Sequence, residues 1–490
     1  MNHPAEAIAD TLIRDAYVVT LDAGRRVFTR GFVAFAGGRI TAVGSMADGL
    51  PPARAVIDAR GMVAMPGFAN GHNHLIQNAF RGYNDDRWPV LDIPAAVRRL
   101  LEQLFAAAGR MDAERTYAIV RLHALEMLKA GYTATHDEHF TNARKDSVDG
   151  SWQALADSGM RGFLCRCIVD DRVPEEGRES VDAGLAELER LRAFSSDRLT
   201  VAGSFVNYSF RADPEDMRRI HEGTLALGLP FGVDMTDNSR GAMLKARGFE
   251  GGQADYYRAH GLLDHGAIYA GKGVNLQRHE YALLAQHDAR LALVPTLRFF
   301  DGQGVPVHDF LAAGMLPGLG TDAPLVSDSQ DPFENMRHAI FGQNLAVKAR
   351  LAAGGERPEA ALWLNAERCI EMATLGGARS LLLENTCGAL EAGKAADLVL
   401  IDVARAEIAP TWDDSRLLGA LVWGGKGSQV HSVFVAGERL IEDGRSTRWD
   451  EEEVIREADA ALAAITREAD LDRFLPTRRA GESYRGWAYH

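Results

Sequence analysis

Cysteine is scarce in this chain of 490 residues: only Cys165, Cys167, Cys369 and Cys387 occur. Four for this length argue against a disulfide framework, and Cys165-Arg166-Cys167 suits neither a zinc ribbon nor a thioredoxin-type pair. The expectation is four reduced thiols in a cytoplasmic protein. No apolar run approaches the length of a membrane span. The first ten residues have no basic flank and no apolar core, so no secretory leader is expected there. Positive charge is also short: 54 Lys and Arg stand against 68 Asp and Glu, a formal net charge of −14. That balance argues against nucleic acid and anionic membranes as partners and says nothing positive about the substrate, since a dispersed acidic surface mainly confers solubility. Internal repeats and low-complexity tracts are missing. What remains, 46% hydrophobic and 25% charged residues, is the composition of an ordinary globular chain long enough for a large core.

The most informative segment is Met65-Pro66-Gly67-Phe68-Ala69-Asn70-Gly71-His72-Asn73-His74. An apolar run leads through Pro66-Gly67 into two imidazoles one residue apart. On extended backbone, residues i and i+2 project to one face, so both rings can aim at one metal ion. The same motif also arises as two surface or core histidines beside a turn, and both readings stand at this point.

Texture divides the chain. Up to about residue 65 the pattern is short strands with turns, including a tight hairpin at Gly37-Gly38. From Pro66 to about residue 390, short apolar strands alternate with helical segments, as in Leu199 to Val206 and Arg115 to Ala130. Repeated βα units of this number predict a parallel barrel inside a ring of helices. Short strands return after Gly388, and a charged helix is predicted over Glu451 to Glu468, followed by a tail rich in Arg and aromatics.

With these motifs in view the chain resembles the amidohydrolase superfamily, in the branch of guanine, cytosine and triazine aminohydrolases. The signatures are Pro66-Gly67-Phe68 to His74, Gly318-Leu319-Gly320-Thr321-Asp322-Ala323 with Asp331-Pro332-Phe333 after it, and Met372-Ala373-Thr374 through Asp397-Leu398-Val399. The resemblance implies an α/β fold: a (β/α)8 TIM-type barrel with a small β-sandwich built from both chain ends. Residues 1–65 and 391–450 would form the sandwich, 66–390 the catalytic barrel, and 451–490 a C-terminal helix and tail. It also implies a homo-oligomer.

In this family two strand-one histidines, a strand-five histidine and a strand-eight aspartate hold the metal. A glutamate three residues after the strand-five histidine and a strand-six histidine serve the chemistry. His72, His74 and Asp322 match the family pattern. The strand-five positions hold Asp234 and Asp237 instead, and Lys272 aligns with the strand-six histidine. The resemblance then implies one divalent ion on His72, His74, Asp234 and Asp322, zinc first, with iron or manganese favoured by the extra carboxylate. Asp322 and Asp237 would move protons, and Lys272 would donate to the substrate, in hydrolysis of a C–N bond of a small, heterocyclic or amide-bearing molecule. The rival is a metal-free site in which Lys272 neutralises Asp234 and Asp322 and supports a lyase, isomerase or lactonase reaction, Schiff-base chemistry included. A third reading is a non-catalytic relative with a dead salt bridge.

Other candidates line the approach. The strand Gly131 to Thr135 ends in His136-Asp137-Glu138-His139, and Glu138 or His139 is expected to contact substrate or to replace a lost ligand. Arg81 and Trp88 follow strand one as part of a lid, and Arg211 is placed to clamp an anionic substrate.

Overall fold

The computed structural model describes residues 8–81, 102–139, 144–170, 178–207, 210, 212–235, 239–264, 269–272, 276–300, 302–324, 329–411, 413–474, 483–484 and 487–488. The chain opens with β1 (Ala9–Val19), β2 (Val27–Ala36), β3 (Arg39–Ser45), β4 (Ala53–Asp58) and β5 (Met62–Pro66). The β2–β3 turn falls on Gly37 and Gly38, whose φ values of 56° and 76° are those a two-residue hairpin requires.

Eight strands follow: β6 (Phe68–Asn70), β7 (Tyr132–His139), β8 (Arg161–Asp170), β9 (Leu199–Val206), β10 (Phe231–Met235), β11 (Tyr269–Lys272), β12 (Arg290–Leu293) and β13 (Gly318–Leu319). Each pairs in parallel with the next, and β13 returns to β6 through Leu319 and Asn70, so the ring closes. Helices such as Ala113–Lys129, Ser147–Ser158 and Val181–Arg192 lie between them in sequence. Helix Pro332–Ala352 follows β13; Asp331 caps it by accepting from Phe333 N at 2.9 Å, with Pro332 in the first turn.

The last strands are β14 (Leu398–Asp402), β15 (Val430–Val435), β16 (Glu438–Glu442) and β17 (Arg445–Ser446). Antiparallel pairing of β14 with β5, Val399 opposite Met65 and Ile401 opposite Val63, joins both chain ends into one nine-stranded sheet. Strand alternation gives this sheet two buried faces. Val63, Met65, Val399 and Ile401 enter the large core, whereas Ala64, Leu398 and Leu400 pack with Ile13, Val33 and Phe434 in a second core. A buried bidentate pair, Arg161 Nε and Nη2 on Asp397 at 2.8 and 3.2 Å, ties the start of β8 to the segment before β14.

Inside the ring, Ala69, Ala134, Phe163, Cys165 and Ala202 form an apolar layer closed off by Leu381. Ala134 lies four residues before Glu138 on β7, so that layer fills the ring beneath the strand ends where polar groups gather.

Candidate metal-binding site

His72 and His74 follow the end of β6, with ring centroids 5.0 Å apart and planes at 86°. Opposite them stands Asp322, just past β13. An isolated parallel bridge pairs Asn73 with Asp322, and Asp322 N donates to His72 O at 3.0 Å. Gly320 permits this approach, since a Cβ there would lie 2.8 Å from the His72 backbone. The donor atoms of His72, His74 and Asp322 all lie within 4.8 Å of one another, and all three residues are buried.

The two Asp322 oxygens face different groups. Oδ1 lies 3.6 Å from His72 Nε2 and 3.3 Å from His74 Nε2. Oδ2 lies 3.7 Å from Lys272 Nζ, which is also 4.0 Å from Asp234 Oδ2. Both Lys272 and Asp322 hold left-handed backbone, with φ of 54° and 60°. Burial alone would raise the Asp322 carboxyl, but the charge of Lys272 and then the two nearby imidazoles hold it well below the usual range. For His74 burial opposes protonation, yet Asp322 and Glu138 overcome it and raise the imidazole.

The sequence places His136 to His139 at the end of the strand begun by Gly131 to Thr135. β7 includes all four, because β8 pairs with it from His136 opposite Phe163 to His139 opposite Arg166. Alternation then sorts the four polar residues. His136 turns inward, its ring 5.5 Å from that of His72, and is held far below its usual pKa by burial and then by the other two imidazoles. Glu138 also turns inward: Oε2 lies 3.5 Å from His74 Nε2 and 3.8 Å from His72 Nε2. His139 turns outward between Ser147 and Ser151, both at 3.3 Å, and burial lowers it to about 3. Asp137, also outward, accepts from Leu75 N at 3.0 Å, and burial raises its carboxyl to about 6.

Thus the structure brings together His72, His74, Asp322, Lys272, Asp234 and Glu138, and leaves His139 behind the strand. Arg81 pairs with Glu126 in a part-exposed position. Trp88, Arg211 and Asp237 lie outside the described residues.

A buried polar network unread from the sequence orients the ligand-bearing backbone. Gln330 Oε1 accepts from Thr321 Oγ1 at 2.7 Å and from Asn73 Nδ2 at 3.1 Å. Asn73 Oδ1 accepts from His74 N at 2.8 Å, and Asn70 Nδ2 donates to Thr321 Oγ1 at 2.7 Å. His123, lowered to about 3 by burial, links Asn73 to Leu75 O. Such supports typically contribute about 10–100-fold to metal affinity. Gln330→Leu is therefore expected to weaken binding of a divalent ion by roughly that factor, read by chelator competition.

The donor set fits a cation. Both ring nitrogens of His72 are buried without a hydrogen-bond partner among the described residues, a costly state for an imidazole. His74 Nδ1 lies 2.8 Å from Glu138 O, an acceptor only, so Nδ1 carries the proton there. In the neutral ring that leaves the Nε2 lone pair for a metal, an orientation shared by many ligating histidines.

A model described as "Amidohydrolase family" matches residues 63–440. The 5-methylthioadenosine/S-adenosylhomocysteine deaminase of Moorella thermoacetica is 30% identical over 450 residues, 90% of this chain and 96% of its own. The 5'-deoxyadenosine deaminase of Methanosarcina acetivorans is 28% identical over 466 residues, 94% of this chain and 100% of its own. Among solved structures, an adenosine deaminase from Xanthomonas campestris with bound zinc matches with a TM-score of 0.80 at 22% identity, covering 94% of this chain and 99% of its own.

Proposed function

Because the chain belongs to the amidohydrolase family and is a hydrolase of non-peptide C–N bonds, we propose metal-assisted deamination of a small nitrogen heterocycle, with adenine nucleosides the first class to test. The observation that carries this reading is the buried His72, His74 and Asp322 cluster. Support for the substrate class comes from the relatives' names. The same reading takes the ring of strands as a (β/α)8 TIM-type barrel spanning 66–390, and the sheet as the family's sandwich from 1–65 and 391–450. Zinc is the proposed ion.

His72, His74 and Asp322 would hold it, and when bound it would supply a water acidic enough to act as nucleophile near neutral pH. The remaining work falls to side chains. A water oxygen bonds to the amine-bearing ring carbon while the Asp322 carboxylate takes its proton. Lys272 gives a proton to the leaving nitrogen, the C–N bond breaks, and ammonia departs. Asp322 then returns its proton to Lys272 across the 3.7 Å between Oδ2 and Nζ.

The test is ammonia release from adenosine, 5'-deoxyadenosine and 5-methylthioadenosine by protein loaded with zinc, manganese or ferrous ion. Turnover is expected to vanish with a chelator and return with the ion. No ammonia from these or from other ring amines would overturn the reading. The position of Lys272 between two carboxylates supports a second, metal-independent reading, which its substitution separates from the first.

A further inference from the structure

We propose that Glu138, from the second barrel strand, is the fourth protein ligand of the metal, taking over from the strand-five position occupied here by Asp234. The inference rests on the metal-dependent reading above and goes beyond it in assigning the ligand set. Two donors bound tetrahedrally at about 2.0–2.2 Å stand roughly 3.3–3.6 Å apart. Glu138 Oε2 is 3.5 Å from His74 Nε2 and 3.8 Å from His72 Nε2. Asp322 Oδ1 is 3.3 and 3.6 Å from the same two atoms. Two carboxylate oxygens therefore face the same pair of imidazole nitrogens at ligand-like spacing. Glu138 stays outside the mutual 4.8 Å set that contains Asp322, as like charges hold apart until a cation draws them in.

Asp234 has a different neighbour. Its Oδ2 lies 4.0 Å from Lys272 Nζ, and its donor atoms do not join the His72, His74 and Asp322 set. The ammonium and the metal can coexist because each meets its own oxygen of Asp322. The backbone of Glu138 is already committed to the site, its carbonyl facing His74 Nδ1 at 2.8 Å and its N–H donating to Asn73 O at 2.9 Å. One residue thus fixes the His74 tautomer and presents a carboxylate to the same ion. The sequence leaves Glu138 and His139 as candidates to replace a lost ligand, and the inward turn of Glu138 chooses between them.

The experiment measures metal content by elemental analysis and zinc affinity by chelator competition, together with the visible absorption of the cobalt-substituted protein. Wild type, Glu138→Gln and Asp234→Asn are compared, with circular dichroism to establish folding. Glu138→Gln is expected to lose about a hundredfold or more in affinity and to change the cobalt spectrum, while Asp234→Asn stays within roughly threefold of wild type. Glu138→Gln with wild-type affinity but lost turnover would overturn the ligand assignment and make Glu138 a proton-transfer group. Loss of metal in Asp234→Asn alone would return the fourth ligand to strand five. Should Glu138→Gln fail to fold, Glu138→Asp, which retains the carboxylate one methylene shorter, must shift the cobalt spectrum; an unchanged spectrum overturns the assignment. A wild-type protein that takes up no ion would overturn the metal-dependent reading itself.

Discussion

His72→Ala is expected to leave the purified protein with far less than one equivalent of divalent ion and to lower kcat/KM by about a thousandfold or more. The imidazole is 1% exposed and donates or accepts no hydrogen bond to another described residue. Its loss therefore leaves no broken network of its own, which separates a ligand from a structural residue. Stabilisation of developing charge by a bound ion amounts to several kcal/mol, and about 4 kcal/mol corresponds to three powers of ten in rate. The measurement pairs elemental analysis with thermal melting. Full metal content with wild-type turnover in the variant would remove His72 from the site.

Lys272→Met should produce the largest change in stability, and one that depends on metal. Its side chain is 10% exposed, between Asp322 at 3% and Asp234 at 6%. Deleting the ammonium removes the cation that the two buried carboxylates share, a change of about 3–5 kcal/mol in the metal-free protein. An ion bound on the imidazole side of Asp322 offsets part of that loss, so the variant should melt well below wild type without metal and recover with it. Affinity for the ion should rise as a competing positive charge disappears. Turnover should still fall by about a hundredfold, because the group assigned to protonate the leaving nitrogen is gone. Borohydride trapping of substrate on wild type, lost in Lys272→Met, would instead establish imine chemistry and sink the hydrolytic mechanism.

The parts of the molecule governed by local pattern were legible in the sequence. Helix Glu451–Glu468 is framed by the Asp450 cap and ends at Ala469, and β9 spans Leu199–Val206 as its apolar run predicts. The alternation rule also separates Glu138 from His139, although it cannot say which side is inside. That choice depends on β8 extending the ladder past Thr135 and on the small residues that fill the ring below. Groups joined only by closure of the fold were not legible. Asn73 and Gln330 are 257 positions apart, and no spacing rule connects them. The alignment of Asp234 and Lys272 to strands five and six follows from the order of βα units, and the two strands are indeed neighbours, with Met235 opposite Lys272. The metal-free reading of the sequence already sets Lys272 beside Asp234 and Asp322; what only three dimensions show is that Lys272 meets the Asp322 oxygen other than the one facing the imidazoles.

The cluster straddles the seam where the first and last strands of the ring meet, and residues bonded across that seam, Asn70 and Thr321, are 251 positions apart. A ribosome delivers His72, His74 and Glu138 long before Asp322 exists. An incomplete chain has the two imidazoles and lacks the Asp322 carboxylate opposite them, so the cluster is complete only once the final βα unit has docked. Uptake of an ion by the full cluster would then report that closure of the ring is finished.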